Sequence, residues 1–271
     1  MTPIVSPTRV GPLRHGGAML AFALCTLTAL SGCATKTGYG LDDAATVQSV
    51  QQRQLAEKDK PDSAAVYLGL IEQMQQKQMY FASLAHLDQY EHTYGVSPKT
   101  TLMRADALRA TDQLPASTAA YQALIGTPLA AQGYRGLGLI AGTRGDFDAA
   151  AQSLAKATEA NPTDAQSLSD LAYALMRSGD LTDARVPLMK AAELDQKNPK
   201  VMSNLAIFLL AQGQAKNANG LMDAQNMPRE VRDAVKQESI AVLSAAHARD
   251  RRQTGAVHGD GVAQAVATNN K

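Results

Sequence analysis

Three glycines, Gly145, Gly179 and Gly213, stand 34 residues apart, each at the same place in a recurring apolar pattern. A period of that length with two helical stretches per unit restricts the fold to a stack of helix pairs, because one pair cannot bury its apolar face alone. The clearest unit covers 131–164. Its first half carries Tyr134, Leu137, Gly138 and Ala141, spaced 3, 1 and 3 apart and so on one helical face. Gly145-Asp146 follows; glycine accepts the left-handed conformation that closes a helix, and aspartate caps the next one. Ala150, Leu154 and Ala157 then share a face, and Asn161-Pro162 ends the second helix. Residues 165–198 repeat the series with Leu168, Leu171-Ala172, Gly179-Asp180, Ala184, Leu188 and Ala191, and Asn198-Pro199 reads as a helix cap and a first-turn proline. A third unit from about 199 keeps Leu205-Ala206, Gly213, Ala218 and Met222, but Gln225 replaces the closing alanine. Pro187 falls inside a second helix, which predicts a kink or a late start there.

The first two units resemble the tetratricopeptide (TPR) pattern W-x2-L-G-x2-Y…A-x3-F…P, with Tyr134, Leu137-Gly138, Ala150, Leu154 and Pro162 in the matching places. Upstream the pattern loosens. Residues 98–130 fit a 33-residue unit through Ala105, Leu108, Ser117 and Tyr121, and 63–96 offer Leu68-Gly69 and an aromatic helix from Tyr80 to Tyr94. The expected fold is all-α: a TPR helical solenoid over 61–228, with three good repeats and one or two degenerate ones. The small residues Gly138, Ala150 and Ala157 permit close helix approach. After Asn226-Met227-Pro228, the segment 229–250 reads as an amphipathic capping helix through Val231, Val235, Ile240, Val242 and Leu243. The tail 251–271 has little to bury and is expected to be disordered.

The amino terminus carries an address. Arg9 and Arg14 precede a 13-residue apolar run, Ala18 to Leu30, too short to span a bilayer but suited to a signal-peptide core. Leu30-Ser31-Gly32-Cys33 resembles the bacterial lipobox L-[A/S/T]-[G/A]-C at all four places. The resemblance implies that 1–32 are a lipoprotein signal peptide, that Cys33 receives the diacylglycerol and becomes the acylated first residue, and that 33–60 form the lipidated terminus and tether. Ala34 is not aspartate, so by analogy the destination is the outer membrane, facing the periplasm. Cys25 leaves with the signal and Cys33 is blocked, so the mature chain has no disulfide to form. Removing two arginines and no acid takes Lys+Arg from 26 to 24 against 25 Asp+Glu, a net charge of −1. A near-neutral chain has no general attraction to nucleic acid or anionic lipid, so membrane contact is expected through the acyl chains.

Nothing in the sequence reads as catalytic. His86, His92, His247 and His258 lack metal-ligand spacing, with His86 and His92 expected to be solvated, and no P-loop, dinucleotide loop or G-x-S-x-G elbow occurs. No metal, cofactor or small-molecule substrate is expected. What remains is the groove that first helices line in a TPR array. Its expected exposed stripe is Arg135 and Leu139, then Ser169, Tyr173 and Met176, then Ser203, Ile207 and Leu210, apolar enough to take a helix or extended peptide from a protein partner. The competing expectation is that tight curling, or a folded-back capping helix, makes these residues core.

The segment from Asn161 to Pro228 resembles the TadD-type lipoproteins of tight-adherence (Flp) pilus loci. Asn161-Pro-Thr-Asp-Ala, Leu171-Ala-Tyr-Ala-Leu with Gly179-Asp180, Asn204-Leu-Ala-Ile-Phe-Leu-Leu-Ala-Gln-Gly213 and Met227-Pro228 carry the likeness. It implies a pilotin-like assembly factor that holds an outer-membrane secretin, or another pilus component, while its lipid directs it to the outer membrane. A general cell-envelope adaptor for murein hydrolases, proteases or barrel assembly, and an accessory module of a separate enzyme, are the other roles this sequence accommodates.

Overall fold

The computed structural model describes residues 63–268, with side chains to Thr254. The expected signal peptide, Cys33, the expected tether and the expected start of the solenoid at Pro61-Asp62 lie outside the described residues. Among the described residues there is no strand, and eleven helices run α1 (Ser63–Gln76), α2 (Tyr80–Tyr94), α3 (Pro98–Ala110), α4 (Leu114–Ala123), α5 (Ala130–Thr143), α6 (Phe147–Ala160), α7 (Ala165–Arg177), α8 (Leu181–Leu194), α9 (Pro199–Ala211), α10 (Ala215–Ala224) and α11 (Arg229–Thr268). The first ten form five antiparallel pairs, each packed on the next, and the first helices of the later pairs also touch one another: α5 meets α7, and α7 meets α9.

The repeat extends further upstream than its sequence signature. Where glycine closes the first helix, φ is positive at Gly145 (79°), Gly179 (88°) and Gly213 (72°). The same turn in the two earlier pairs is made by Gln78 and Asp112, both at φ 60°. These five residues step by 34, 33, 34 and 34, so the chain makes five equivalent turns but uses glycine at only three. The second helices agree: Ser83, Ser117, Ala150, Ala184 and Ala218 are all buried in register, and one turn later so are Leu87, Tyr121, Leu154, Leu188 and Met222. Serine replaces alanine upstream because a local acceptor or donor is at hand. Ser117 Oγ donates to the Ala105 carbonyl at 2.8 Å. Ser83 Oγ accepts from Gln75 Nε2 at 2.8 Å, and the same amide donates to the Met103 carbonyl.

Helix starts follow short polar side chains. Asp146, Asp164, Asp180 and Asn198 each accept backbone N–H bonds from the first turn they precede. Helix α8 starts at Leu181 on its Asp180 cap and runs through Pro187, so the proline does not delay the start. The close approaches foreseen for glycine occur in α5. A Cβ at Gly138 would lie 2.6 Å from Leu154 Cγ, and one at Gly136 only 2.2 Å from the Tyr121 ring.

The core is segmented, as a stack requires. Ile71, Leu87, Tyr90 and Met103 form one cluster; Ala105, Tyr121, Leu124 and Ile140 the next; Ala150, Ala151, Leu154 and Ala174 another. The largest spans α7 to α11 and takes in Met176, Leu188, Ile207 and Phe208 with Val235 and Val242. Helix α11 therefore does more than cap the last pair. It lies along α9 and reaches back to α7. Its backbone comes so near the turn after α7 that a Cβ on Gly179 would fall 2.5 Å from the Ala245 carbonyl oxygen. The helix runs on to Thr268.

Candidate functional site

The first helices α5, α7 and α9 bring their exposed sides together around a cleft of about 350 Å³. Leu139 and Gly142 of α5, Phe147 at the start of α6, and Tyr173 of α7 give it apolar walls; Asp170, Arg177, Lys200 and Asn204 give it polar ones.

Asp170 organises the polar side. Only 3% of its side chain is exposed, and one oxygen accepts from Arg135 Nε at 2.8 Å while the other pairs with Lys200 Nζ at 2.6 Å. Arg135 comes from the preceding unit and Lys200 from the following one, so a single carboxylate ties three consecutive pairs. A buried carboxylate needs such partners, since its desolvation is otherwise uncompensated. Beside it, Asn204 Nδ2 donates to Ser169 Oγ at 2.9 Å and to the Ser169 carbonyl at 3.3 Å.

At the other side of the cleft, Arg177 Cζ lies over the Phe147 ring, 4.3 Å from its centroid, and Phe147 meets Tyr173 edge-on at 6.3 Å. Arg177 Nη1 donates to Glu238 Oε1 of α11 at 2.6 Å and to Tyr173 Oη at 3.1 Å. The Tyr173 hydroxyl itself donates to Glu238 at 2.8 Å. Burial works against the Arg177 charge, but Tyr173 and Glu238 outweigh it and hold its pKa above the ordinary value. Burial, and then the bond to Glu238, push the Tyr173 hydroxyl up as well. Three cations (Arg135, Arg177, Lys200) thus stand against two carboxylates (Asp170, Glu238), and Lys200, with 58% of its side chain exposed, presents the surplus charge to solvent.

The residues expected in the groove divide into two sets. Leu139 and Tyr173 line the cleft, Arg135 sits half-buried on Asp170, and Ser203 is half-buried on the same helix as Asn204. Ser169, Met176 and Ile207 are a correction: all three are buried. Ser169 is spent on Asn204, and Met176 and Ile207 share the apolar cluster with Val235 and Val242 because α11 covers that stripe. Leu210 packs against the same cluster. The folded-back helix is the physical reason the exposed stripe is narrower than expected. Asp170, Arg177 and Phe147 join the site without being marked by the repeat pattern. Asp170 and Arg177 flank Tyr173 at i−3 and i+4 on one helix, and a charged pair bracketing a tyrosine in the apolar run 171–176 is the signal that points to them.

Elsewhere, His86 is not simply solvated: it is half-buried, with the Tyr67 hydroxyl 3.0 Å from its Nδ1. Among the described residues no group of His, Cys, Asp or Glu is arranged to hold a metal ion, and no helix is long and apolar enough to cross a membrane.

The tetratricopeptide-repeat family model matches residues 102–165 and 136–201. No curated protein matches the chain. Among solved structures, a thermophilic TPR protein of Thermus thermophilus superposes with a TM-score of 0.53 at 18% identity, covering 67% of this chain and 99% of that one. A MamA structure from Desulfovibrio magneticus has a TM-score of 0.49 at 16% identity over 64% of this chain and 97% of that one. The family match covers α4 to α8 whole, and the five equivalent turns carry the same register to both sides of it, so the described helix pairs form a TPR solenoid.

Proposed function

We propose that this chain is a lipid-anchored, periplasm-facing scaffold of the outer membrane that holds a protein partner during assembly of a Tad/Flp-type pilus, acting by binding rather than catalysis. TPR folds serve protein–protein interaction, and the observation that carries the reading here is the cleft itself. Its apolar walls, the arginine over an aromatic ring and the surplus cation at Lys200 suit a polypeptide segment with an acidic residue. The lipobox ending at Cys33 supports the anchor, and the likeness of 161–228 to TadD-type lipoproteins supports the pilus setting and a secretin as the partner.

Two measurements test it. Leu139→Asp places a charge on the apolar wall while leaving the Asp170 network intact; it should reduce capture of the partner from cross-linked envelopes at least tenfold with an unchanged melting temperature. Capture at wild-type level would remove the cleft from the proposal. Cys33→Ala should abolish acylation, and a fully acylated, membrane-bound variant would overturn the anchor. Pilus assembly that proceeds normally in a strain lacking the chain would leave the general envelope adaptor in its place.

A further inference from the structure

The two side chains that close one side of the open cleft, Tyr173 and Arg177, are the same two that hold α11. Both reach Glu238. The cleft and the bed of α11 are therefore neighbouring parts of one surface along α7 and α9, and they share Tyr173 and Arg177. The face of α11 laid on that surface is built mainly from small residues, with Leu243 packed at its edge. Val235, Ser239, Val242 and Ala246 are buried at i, i+4, i+7 and i+11, and Glu238 stands beside the stripe. Ser239 spends its hydroxyl on its own helix, the Lys236 carbonyl, and so adds no bond to the body of the stack. Outside the stripe α11 is held by Arg249 to Asp180 at 2.8 Å and, at its start, by Arg232 donating to the Met222 carbonyl of α10 and the Met227 carbonyl of the turn. The connection from α10 is short, with Asn226 in a left-handed conformation (φ 49°) and only Met227 of the turn buried.

We infer that α11 is an internal occupant of the partner groove, and that the partner is an amphipathic helix of the same chemistry, a narrow stripe of small apolar residues with a carboxylate beside it, which takes Tyr173 and Arg177 from Glu238 and displaces α11. The inference rests on the groove-binding reading above and names the kind of segment bound. A partner entering through the open cleft passes the exposed Lys200 and reaches Arg177 over the Phe147 ring. Drawing that guanidinium away removes the charge opposite Glu238, and release of α11 uncovers Met176 and Ile207, which become the apolar floor for the incoming helix. The stripe assigned to partner contact from sequence is, on this account, the surface reached in the released state.

The experiment needs no partner. A fluorescein-labelled peptide of residues 229–250 is titrated against the full chain and against the full-length Val242→Asp variant, whose buried aspartate expels α11. The variant should bind the peptide at least tenfold more tightly than wild type, and adding Arg177→Glu to it should abolish the gain. Equal affinity for both proteins, or binding to neither, overturns the inference. Hydrogen exchange on the wild-type chain provides a readout that does not depend on the variant folding. Amides of 235–246 should exchange at least tenfold faster than those of α7, because α11 opens locally. Equal protection overturns the inference as well. Failure here leaves the Leu139→Asp capture result untouched, so the two readings fall separately.

Discussion

Helix α5 has four glycines, at 133, 136, 138 and 142, and their environments differ enough that one substitution should have opposite signs at two of them. Alanine in place of glycine gains about 1 kcal/mol of helix propensity anywhere in a helix interior. At Gly142 the added Cβ would lie 4.0 Å from Ala150 Cβ, ordinary contact, so Gly142→Ala should stabilise by about 0.5–1 kcal/mol. At Gly136 it would lie 2.2–2.4 Å from three ring atoms of Tyr121, where carbon contacts sit at about 3.5–4 Å. The ring cannot turn aside cheaply. It is buried, and its hydroxyl donates to Asp106 at 2.6 Å and receives Arg109 Nε at 3.2 Å. Overpacking costs about 1–3 kcal/mol, and a disturbed Tyr121–Asp106 bond adds about 1, against the propensity gain. Gly136→Ala should therefore destabilise by about 1–3 kcal/mol, a fall in Tm of about 2–4 °C per kcal/mol for a chain of this size. Thermal and urea unfolding followed by circular dichroism at 222 nm measure both variants. In a Tyr121→Ala background the clash is gone, and Gly136→Ala should turn neutral or stabilising, a coupling of the kind that neighbours show. If Gly136→Ala is harmless in the wild-type background, or costs as much without the ring as with it, close packing is not what keeps glycine there.

Replacing Asp112 or Gln78 by glycine should stabilise by about 1 kcal/mol each, since both hold φ 60° at turns where the later units use glycine; unfolding midpoints decide, and unchanged midpoints would mean the left-handed turn carries no strain in this stack. Arg135→Ala alone should cost about 1 kcal/mol because Lys200 still faces Asp170, whereas Arg135→Ala with Lys200→Ala should cost about 3 or more by leaving the carboxylate buried without a cation; simple additivity would refute the shared role of Asp170. Tyr121 should resist ionisation, with burial and then the neighbouring Asp106 charge pushing its pKa well above the usual 10.0. Since the folded value is the higher one, the stability it confers is complete below pH 10 and is lost as pH climbs toward the folded value, so alkaline unfolding should be shallower in Tyr121→Phe. Absorbance at 295 nm showing Tyr121 titrating with the exposed tyrosines would contradict this.

The part of the fold that was legible in the sequence is the part where backbone demands and packing demands coincide. Gly145, Gly179 and Gly213 are required by the turn, and Ala150, Ala184 and Ala218 by the close helix contact, so three units announce themselves. In the first two units the same turns are made by Gln78 and Asp112 and the same contacts by Ser83 and Ser117, whose hydroxyls are satisfied by Gln75 and the Ala105 carbonyl. Tolerated strain and local hydrogen bonds hid the repeat without altering it. The candidate site was half legible. Leu139 and Tyr173 follow from helical phase alone, whereas the burial of Met176 and Ile207 depends on where α11 lies, and no periodicity encodes that. Asp170 is likewise a product of assembly. Its two cations come from units 35 residues upstream and 30 downstream, and only the stack brings them to one carboxylate.

That arrangement has a mechanical consequence. Repeat stacks bend and twist by small rotations between adjoining pairs, and the ease of each rotation depends on what bridges the joint. Between 130 and 211 both joints are bridged near the inner surface, by Arg135 and Lys200 on Asp170 and by Asn204 on Ser169. Stretching the inner surface there would separate charge from charge. The first joint is bridged too, by Lys99 on Glu72, Arg104 on Asp88 and Glu91, and Gln75 on the Met103 carbonyl. The joint between α4 and α5 rests instead on the packing of Tyr121 against Gly136, so the stack bends there most readily while the cleft keeps its curvature.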